Sequence, residues 1–416
     1  MALVASAHAA DPPLTLVAAQ RHAIERSRQL AGQDFAVAAA RDLAIAAGQR
    51  PDPVVRIGLD NLPVSGSDRF SLTRDFMTMG RIGLMQELTS ADKLLSRTGR
   101  FEREAEKVLA QKSAMAATIE RDTALAWLER YYAEAMAAVI AEFGEQAKLE
   151  VEAADGAYRA GRGSQSDILV GRSAVAMFED RASEAQRKVR TARVMLARWI
   201  GDAAVLPLSG EPAIDTIRLD TATLATQLAH HPQIAVLDRQ EEIARAEAKI
   251  AKANRESDWT VELAYQQRGP SFSNMISIGV SIPWQWDRSN RQDRELSSKL
   301  AMIEQTKAER DELLRTHVAE TRVLIEEWET GRQRMSLYQR DLLPLSTART
   351  TALFSAYRGG KGSLADVLAA RRSEIDVRLQ ALQLAADTAR TWAQINFLLP
   401  GVVPAHPGTV RQEAPK

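Results

Sequence analysis

Two aspartates occupy the same place in two copies of one short segment. Residues 158–172 read YRAGRGSQSDILVGR and residues 357–371 read YRGGKGSLADVLAAR. At a constant offset, Tyr158/Tyr357, Arg159/Arg358, Gly161/Gly360, Gly163/Gly362, Ser164/Ser363, Asp167/Asp366, Leu169/Leu368 and Arg172/Arg371 are identical. A carboxylate three residues after a serine can do two kinds of work. In the first turn of a helix it is favoured by the helix dipole. Repeated by symmetry around a pore it becomes a ring that attracts cations and repels anions. The two roles are compatible, so Asp167 and Asp366 are candidates for a charged ring as well as for helix starts.

Other chemistry is thin. The chain has no cysteine, which excludes disulfides, thiolate metal sites and cysteine nucleophiles. Of six histidines only His230 and His231 adjoin, just before Pro232, and a pair without a third ligand fits a helix start better than a zinc site. Met77, Met79, Met85 and Met275 fall in strand-like segments, where filling space competes with a soft-metal path. There is no phosphate-binding loop, dinucleotide fingerprint or nucleophile elbow. The expectation is therefore a protein that is not an enzyme, with no cofactor and no resident metal. The formal charge is zero without a large basic block, so nucleic acid is not expected as a partner.

The elements that must position these residues are long helices. Aromatics make up only 5% of the chain, a profile of coiled coils rather than of a thick core. Helical periodicity runs over 14–49, about 90–158, 164–200, 219–255, about 291–357 across Pro344, and to about 398. The run from 90 to 158 alone implies roughly 100 Å of helix. Each Gly-rich tip reverses the chain, because glycine tolerates the left-handed conformations that end helices and Ser164 can cap the next helix. Residues 1–10 resemble the back half of a secretory signal, with Ala7-His8-Ala9 as a small-x-small site. The division expected is a first repeat at 11–212, a second at 213–400 and a loose tail at 401–416.

Four segments, about 54–62, 76–86, 259–267 and 275–286, switch to period two. Val55, Ile57, Leu59, Ile82, Leu84, Val261, Leu263, Ile276, Ile278, Val280 and Ile282 define one apolar face, and Arg56, Asp60, Arg81 and Glu262 sit on the other. These read as two isolated hairpins, each marginal in water. One solution is a half-buried soluble sheet. The other is a membrane β-barrel with the apolar face to lipid and Trp259, Tyr265, Trp284 and Trp286 in interfacial belts. Small barrels need about eight strands, so closure requires several chains. Three copies in cyclic symmetry would make a twelve-stranded barrel without edges.

Order, duplication and tip motif together resemble the outer membrane efflux protein family, the TolC-like channels. The tips YRAGRGSQSDIL and YRGGKGSLADVL look like its pattern Y-x-x-G-x-x-S/T-x-x-D-V-L, with Ile168 in the valine place of the first. The segments SIPWQWDRSNRQDREL and LMQELTSADKLLSR resemble most the heavy-metal efflux, CzcC-like branch. The resemblance implies a mainly α fold with a small β part: two repeats of helix–strand–strand–long helix–helix. It implies a homotrimer with an α-helical periplasmic barrel and a twelve-stranded barrel in outer membrane lipid. The implied partners are a periplasmic adaptor protein and an inner membrane pump of the resistance-nodulation-division type. Gly161, Arg162, Gly163, Ser164, Gly360, Lys361, Gly362 and Ser363 inherit adaptor docking, against the alternative that they are simple helix breaks. Asp167 and Asp366 inherit the periplasmic constriction. A second acid that some members carry is replaced here by Val170 and Ala369, which departs from the family's gate. Competing readings are a duct for drugs or secreted proteins, and a soluble periplasmic coiled-coil scaffold.

Overall fold

The structure, a computed structural model, describes residues 13–161 and 164–399. The signal-like start, Arg162, Gly163 and the tail at 401–416 lie outside the described residues. In chain order the elements are α1 (Leu16–Arg26), α2 (Arg28–Ala47), β1 (Val54–Asp60), β2 (Met79–Leu88), α3 (Ala91–Arg159), α4 (Gln165–Ile200), α5 (Leu224–Leu228), α6 (Pro232–Ala253), β3 (Trp259–Arg268), β4 (Met275–Ser281), α7 (Gln292–Leu337), a π turn (Tyr338–Leu342), α8 (Leu343–Arg358) and α9 (Leu364–Asn396). The expectation of a mainly helical chain with a small antiparallel β part holds.

Three helices differ from the expectation, each for a local reason. The run at 14–49 is broken at Ser27, which is extended and whose hydroxyl accepts the Leu30 N–H at 3.3 Å. The run at 219–255 is split into α5 and α6, because a residue before proline avoids helical geometry and Pro232 instead opens α6. The run through Pro344 is continuous but shifts its hydrogen-bond ladder at the π turn, where Leu343 N–H reaches the Tyr338 carbonyl. Proline has no N–H for the carbonyl four residues back and would clash with it, and a π turn accommodates that.

The two expected hairpins are in fact one sheet. β2 pairs antiparallel with β3 over ten residues, Met79↔Arg268 to Leu88↔Trp259, giving the order β1-β2-β3-β4. Four paired strands relieve the marginality of a lone hairpin. Three strands are shorter than expected: β1 stops at Asp60, β2 starts at Met79 and β4 stops at Ser281. Pro283 cannot donate to a ladder, so Ile282, Trp284 and Trp286 follow the strand rather than belong to it.

The chain divides into two compact units. One contains Ser113–Pro232 with the chain up to Ala31 and from Leu314 on; the other contains Gly32–Lys112 and Gln233–Leu313. The first is held by Trp127, Leu128, Leu196, Ile200, Ala389 and Ala393. Its indoles find carbonyl partners: Trp127 donates to Leu14 O at 3.2 Å and Trp328 to Ile214 O at 2.9 Å. The second unit contains the sheet. Below it, buried Lys93 joins the Asp258 carboxylate at 2.8 Å and the Glu256 carbonyl at 2.5 Å.

Candidate functional sites: the paired tips and the amphipathic sheet

At the second tip α8 ends in a Schellman motif. Gly360 is left-handed (φ +72°), its N–H bonds the Tyr357 carbonyl at 3.0 Å, and Lys361 N–H bonds Ala356 O at 2.9 Å. At the first tip Gly161 has φ +69° and its N–H bonds Tyr158 O at 2.9 Å. Serine then starts each new helix. Ser164 Oγ accepts from Asp167 N–H at 3.1 Å, and the Asp167 carboxylate accepts the Ser164 N–H at 3.1 Å and hydroxyl at 2.7 Å. This is a capping box with aspartate in the usual glutamate place. At the second tip Ser363 Oγ accepts from Asp366 N–H at 3.1 Å and its hydroxyl donates to the carboxylate at 2.7 Å.

Gly161, Gly360, Ser164 and Ser363 therefore have local structural work. Gly362 does too, since a Cβ there would lie 3.2 Å from the Tyr357 nitrogen. The two tips also meet: Ala154 of α3, Ile168 and Ala174 of α4, Leu364 and Leu368 of α9 and Tyr357 of α8 form one apolar cluster. Just beyond it Arg371 pairs with buried Glu150 and donates to Gln146 at 2.6 Å. At the helix starts Asp167 is half-buried and Asp366 is exposed.

In the sheet, register places Val55, Ile57, Leu59, Ile82, Leu84, Val261, Leu263, Ile276, Ile278 and Val280 on one face, while Val54, Met79, Met85 and Met275 fall on the other. Val55 faces Leu84, then Leu263 and Ile278; Ile57 faces Ile82, then Tyr265 and Ile276; Val261 faces Val280. This face is the exposed one: Ile57, Ile276 and Ile278 are 77, 71 and 76% accessible, although Val261 is half-buried. On the opposite face Ala264 and Gln266 are 0 and 7% accessible. There Arg81 pairs with Glu262 and lies 3.6 Å from Asp60, and Gln266 donates to Ser277 at 2.7 Å. Accessibility is inverted relative to a half-buried soluble sheet, which hides its apolar face.

Trp259 closes the helix-proximal end of the sheet opposite Leu88, and Trp284 and Trp286 flank the same end beyond β4. Tyr265 instead lies within the apolar band, between Ile82 and Ile276. The other end carries exposed Phe70 and Phe76, of which only Phe76 falls in a segment of period two. Arg268 fixes that end, donating to Phe76 O at 3.2 Å and Ser273 O at 2.8 Å.

The chain is similar to the outer-membrane channel OprN, at 18% identity and TM-score 0.75 over 93% of this chain and 90% of that one. It is similar to CusC, a protein whose structures concern folding and transmembrane channel formation, at 14% identity and TM-score 0.78 over 93% and 92%. VceC, an outer membrane protein of Vibrio cholerae, matches at 18% identity and TM-score 0.72 over 92% and 95%. The chain has the fold of these outer-membrane channels. No family model and no curated protein matches its sequence.

A further pairing lay beyond sequence reasoning. His231 packs not with His230 but with His317 of α7, their ring centroids 4.4 Å apart. Burial, then the charges of His317 and Arg121, push His231 down to about 4. Among the described residues no group of three or more histidine, cysteine or acidic side chains gathers as for a metal, and no helix is long and apolar enough to cross a membrane.

Proposed function

We propose that this chain is the outer membrane channel subunit of a tripartite efflux system, a passive exit duct. The observation that carries this is the inverted sheet, with its apolar face exposed and its charged face crowded inward. An exposed row of Val, Ile and Leu has a favourable solvent in lipid, and edge strands β1 and β4 need partners. Three copies joining β1 to β4 supply twelve strands and an aqueous interior lined by Arg81, Glu262 and Gln266. Tryptophans at one end and Phe70 and Phe76 at the other serve as interfacial belts. The long helices form the periplasmic α-helical barrel of two repeats. The equivalent indole contacts of Trp127 and Trp328 support that duplication.

The duplicated tips meet a periplasmic adaptor, and an inner membrane pump delivers the cargo. Asp167 and Asp366, tripled by symmetry, form acidic rings at the periplasmic end. The sequence resemblance to the heavy-metal branch and these acids favour divalent or monovalent metal cations as cargo. A soluble scaffold is disfavoured by the exposed apolar face.

The test is physical. The purified chain should require detergent, cross-link as a trimer and give discrete conductance steps in a planar bilayer. A monomer that stays dissolved in detergent-free buffer and leaves the bilayer silent would refute the duct. Loss of metal-ion resistance on deletion, without change in drug sensitivity, supports the metal cargo; the reverse result refutes it.

A further inference from the structure

Away from the sheet and the tips, aromatic and acidic groups converge once more. A groove of about 1390 Å³ runs between α3, α9, the π turn with α8, and the link at 211–215. Tyr131, Tyr132 and Tyr338 line it, three of only six tyrosines in the chain. Trp127 stacks under Tyr131 with centroids 5.4 Å apart, and Tyr132 meets Tyr131 edge-on at 5.2 Å. This packing holds the rings of α3 in place. Facing them, Tyr338 starts the π turn, a distortion that often marks functional sites.

Charge in the groove has one sign left over. Exposed Glu211 lines it and forms no ion pair among the described residues. Burial, and after it the Glu211 charge, push the Tyr131 phenol up. The Tyr131 phenol therefore stays neutral and its ring keeps its electron-rich character. Arg378 also reaches the groove, but Glu374 holds it at 3.0 Å and it lies over the Phe143 ring at 5.0 Å. Its charge is already matched.

We propose that this groove binds an organic cation with an aromatic or alkyl body, its charge set against the faces of Tyr131, Tyr132 and Tyr338 and opposite Glu211. Cations are attracted to the ring quadrupole, and an apolar pocket with a few convergent polar groups is the usual form of a small-molecule site. An anion would meet an unpaired carboxylate and electron-rich tyrosine rings. A neutral ligand would bury Glu211 without compensation. The inference goes beyond the duct and does not rest on it.

Benzyltrimethylammonium tests it, since it is too polar to partition into detergent micelles. Calorimetric titration of the full detergent-solubilised chain should show saturable binding. Neopentylbenzene, its uncharged isostere, should bind at least tenfold more weakly. Glu211→Gln and Tyr338→Ala should each weaken the ammonium at least tenfold. Absence of saturable binding, equal binding of the isostere, or binding unchanged in both variants overturns the proposal. Circular dichroism melting of each variant shows whether it folds. Bilayer conductance, which neither substitution should alter, reports separately on the duct.

Discussion

The two tips share eight residues and yet are built differently. In the first, Ser164 and Asp167 satisfy each other reciprocally, whereas in the second the Ser363 N–H is not returned to Asp366. Arg172 is exposed and forms no ion pair among the described residues, whereas its twin Arg371 holds buried Glu150. Gly171 lets α3 come so close that a Cβ would sit 2.7 Å from Val151 Cγ2, where the second copy has Ala370. Identical letters thus mark the same turn, but packing assigns them different loads. The first copy is held by its cap and a backbone approach, the second by ion pairs from α9.

The arginine twins give the largest expected difference. Glu150 is 7% accessible and its second oxygen, Oε2, has no hydrogen-bond partner, so removing Arg371 strands a buried carboxylate. Breaking a buried pair in this way costs about 3 kcal/mol. Arg371→Ala should therefore lower thermal stability in detergent strongly, while Arg172→Ala should stay within about 0.5 kcal/mol, as surface changes do. Equal effects, read by circular dichroism melting or urea titration, would mean that the tips carry the same load after all.

That contrast also shows what the sequence could tell. The tip turns, the serine caps and the period of the strands were legible because each depends on residues within a few positions of one another. Gly161 and Gly360 announce a left-handed residue by type alone. The pairing of β2 with β3 was not legible, since about 170 residues separate them and alternation says which face a side chain takes, not which strand it meets. Arg371 with Glu150 and His231 with His317 were hidden for the same reason: a charge or an imidazole in a helix does not reveal its neighbour on another helix. The inverted accessibility of the sheet was legible in part. Period two defined the apolar face, and only the paired sheet showed that no described residue covers Ile57, Ile276 and Ile278.

Acid should separate the two hairpins further. At the same offset as the tips, Glu374 of α9 stands where α4 has Val175. Burial would raise the Glu374 carboxyl, but hydrogen bonds from Thr347 and Thr350 and the charge of Arg378 outweigh it, so the group lies below its ordinary 4.5. A depressed folded value means that the charged form is the stabilised one. The contribution is complete above about 4.5 and is lost as pH falls through the lower folded value. Hydrogen exchange should show α8 and α9 opening before α4 as pH drops from 5 towards 3. Glu374→Gln should remove that pH dependence while lowering stability at neutral pH by less than Arg371→Ala does. If α4 opens first, or if the variant keeps the same acid profile, Glu374 is not the element that distinguishes the second hairpin.

The caps give the finest comparison. Losing an N-cap hydroxyl costs about 1 kcal/mol, so Ser164→Ala and Ser363→Ala should both be mildly destabilising. They should not be equal. Ser164→Ala leaves the Ser164 backbone N–H bond to Asp167 possible but removes the hydroxyl that donates to this carboxylate and accepts the Asp167 N–H. Ser363→Ala removes two contacts from a helix that Leu364 and Val367, at 1 and 0% accessibility, already anchor in the core. The first substitution should therefore speed amide exchange in the opening turn of α4 more than the second does in α9. A greater effect in α9 would show that its buried first turn depends on the cap, and that burial does not compensate for an incomplete box.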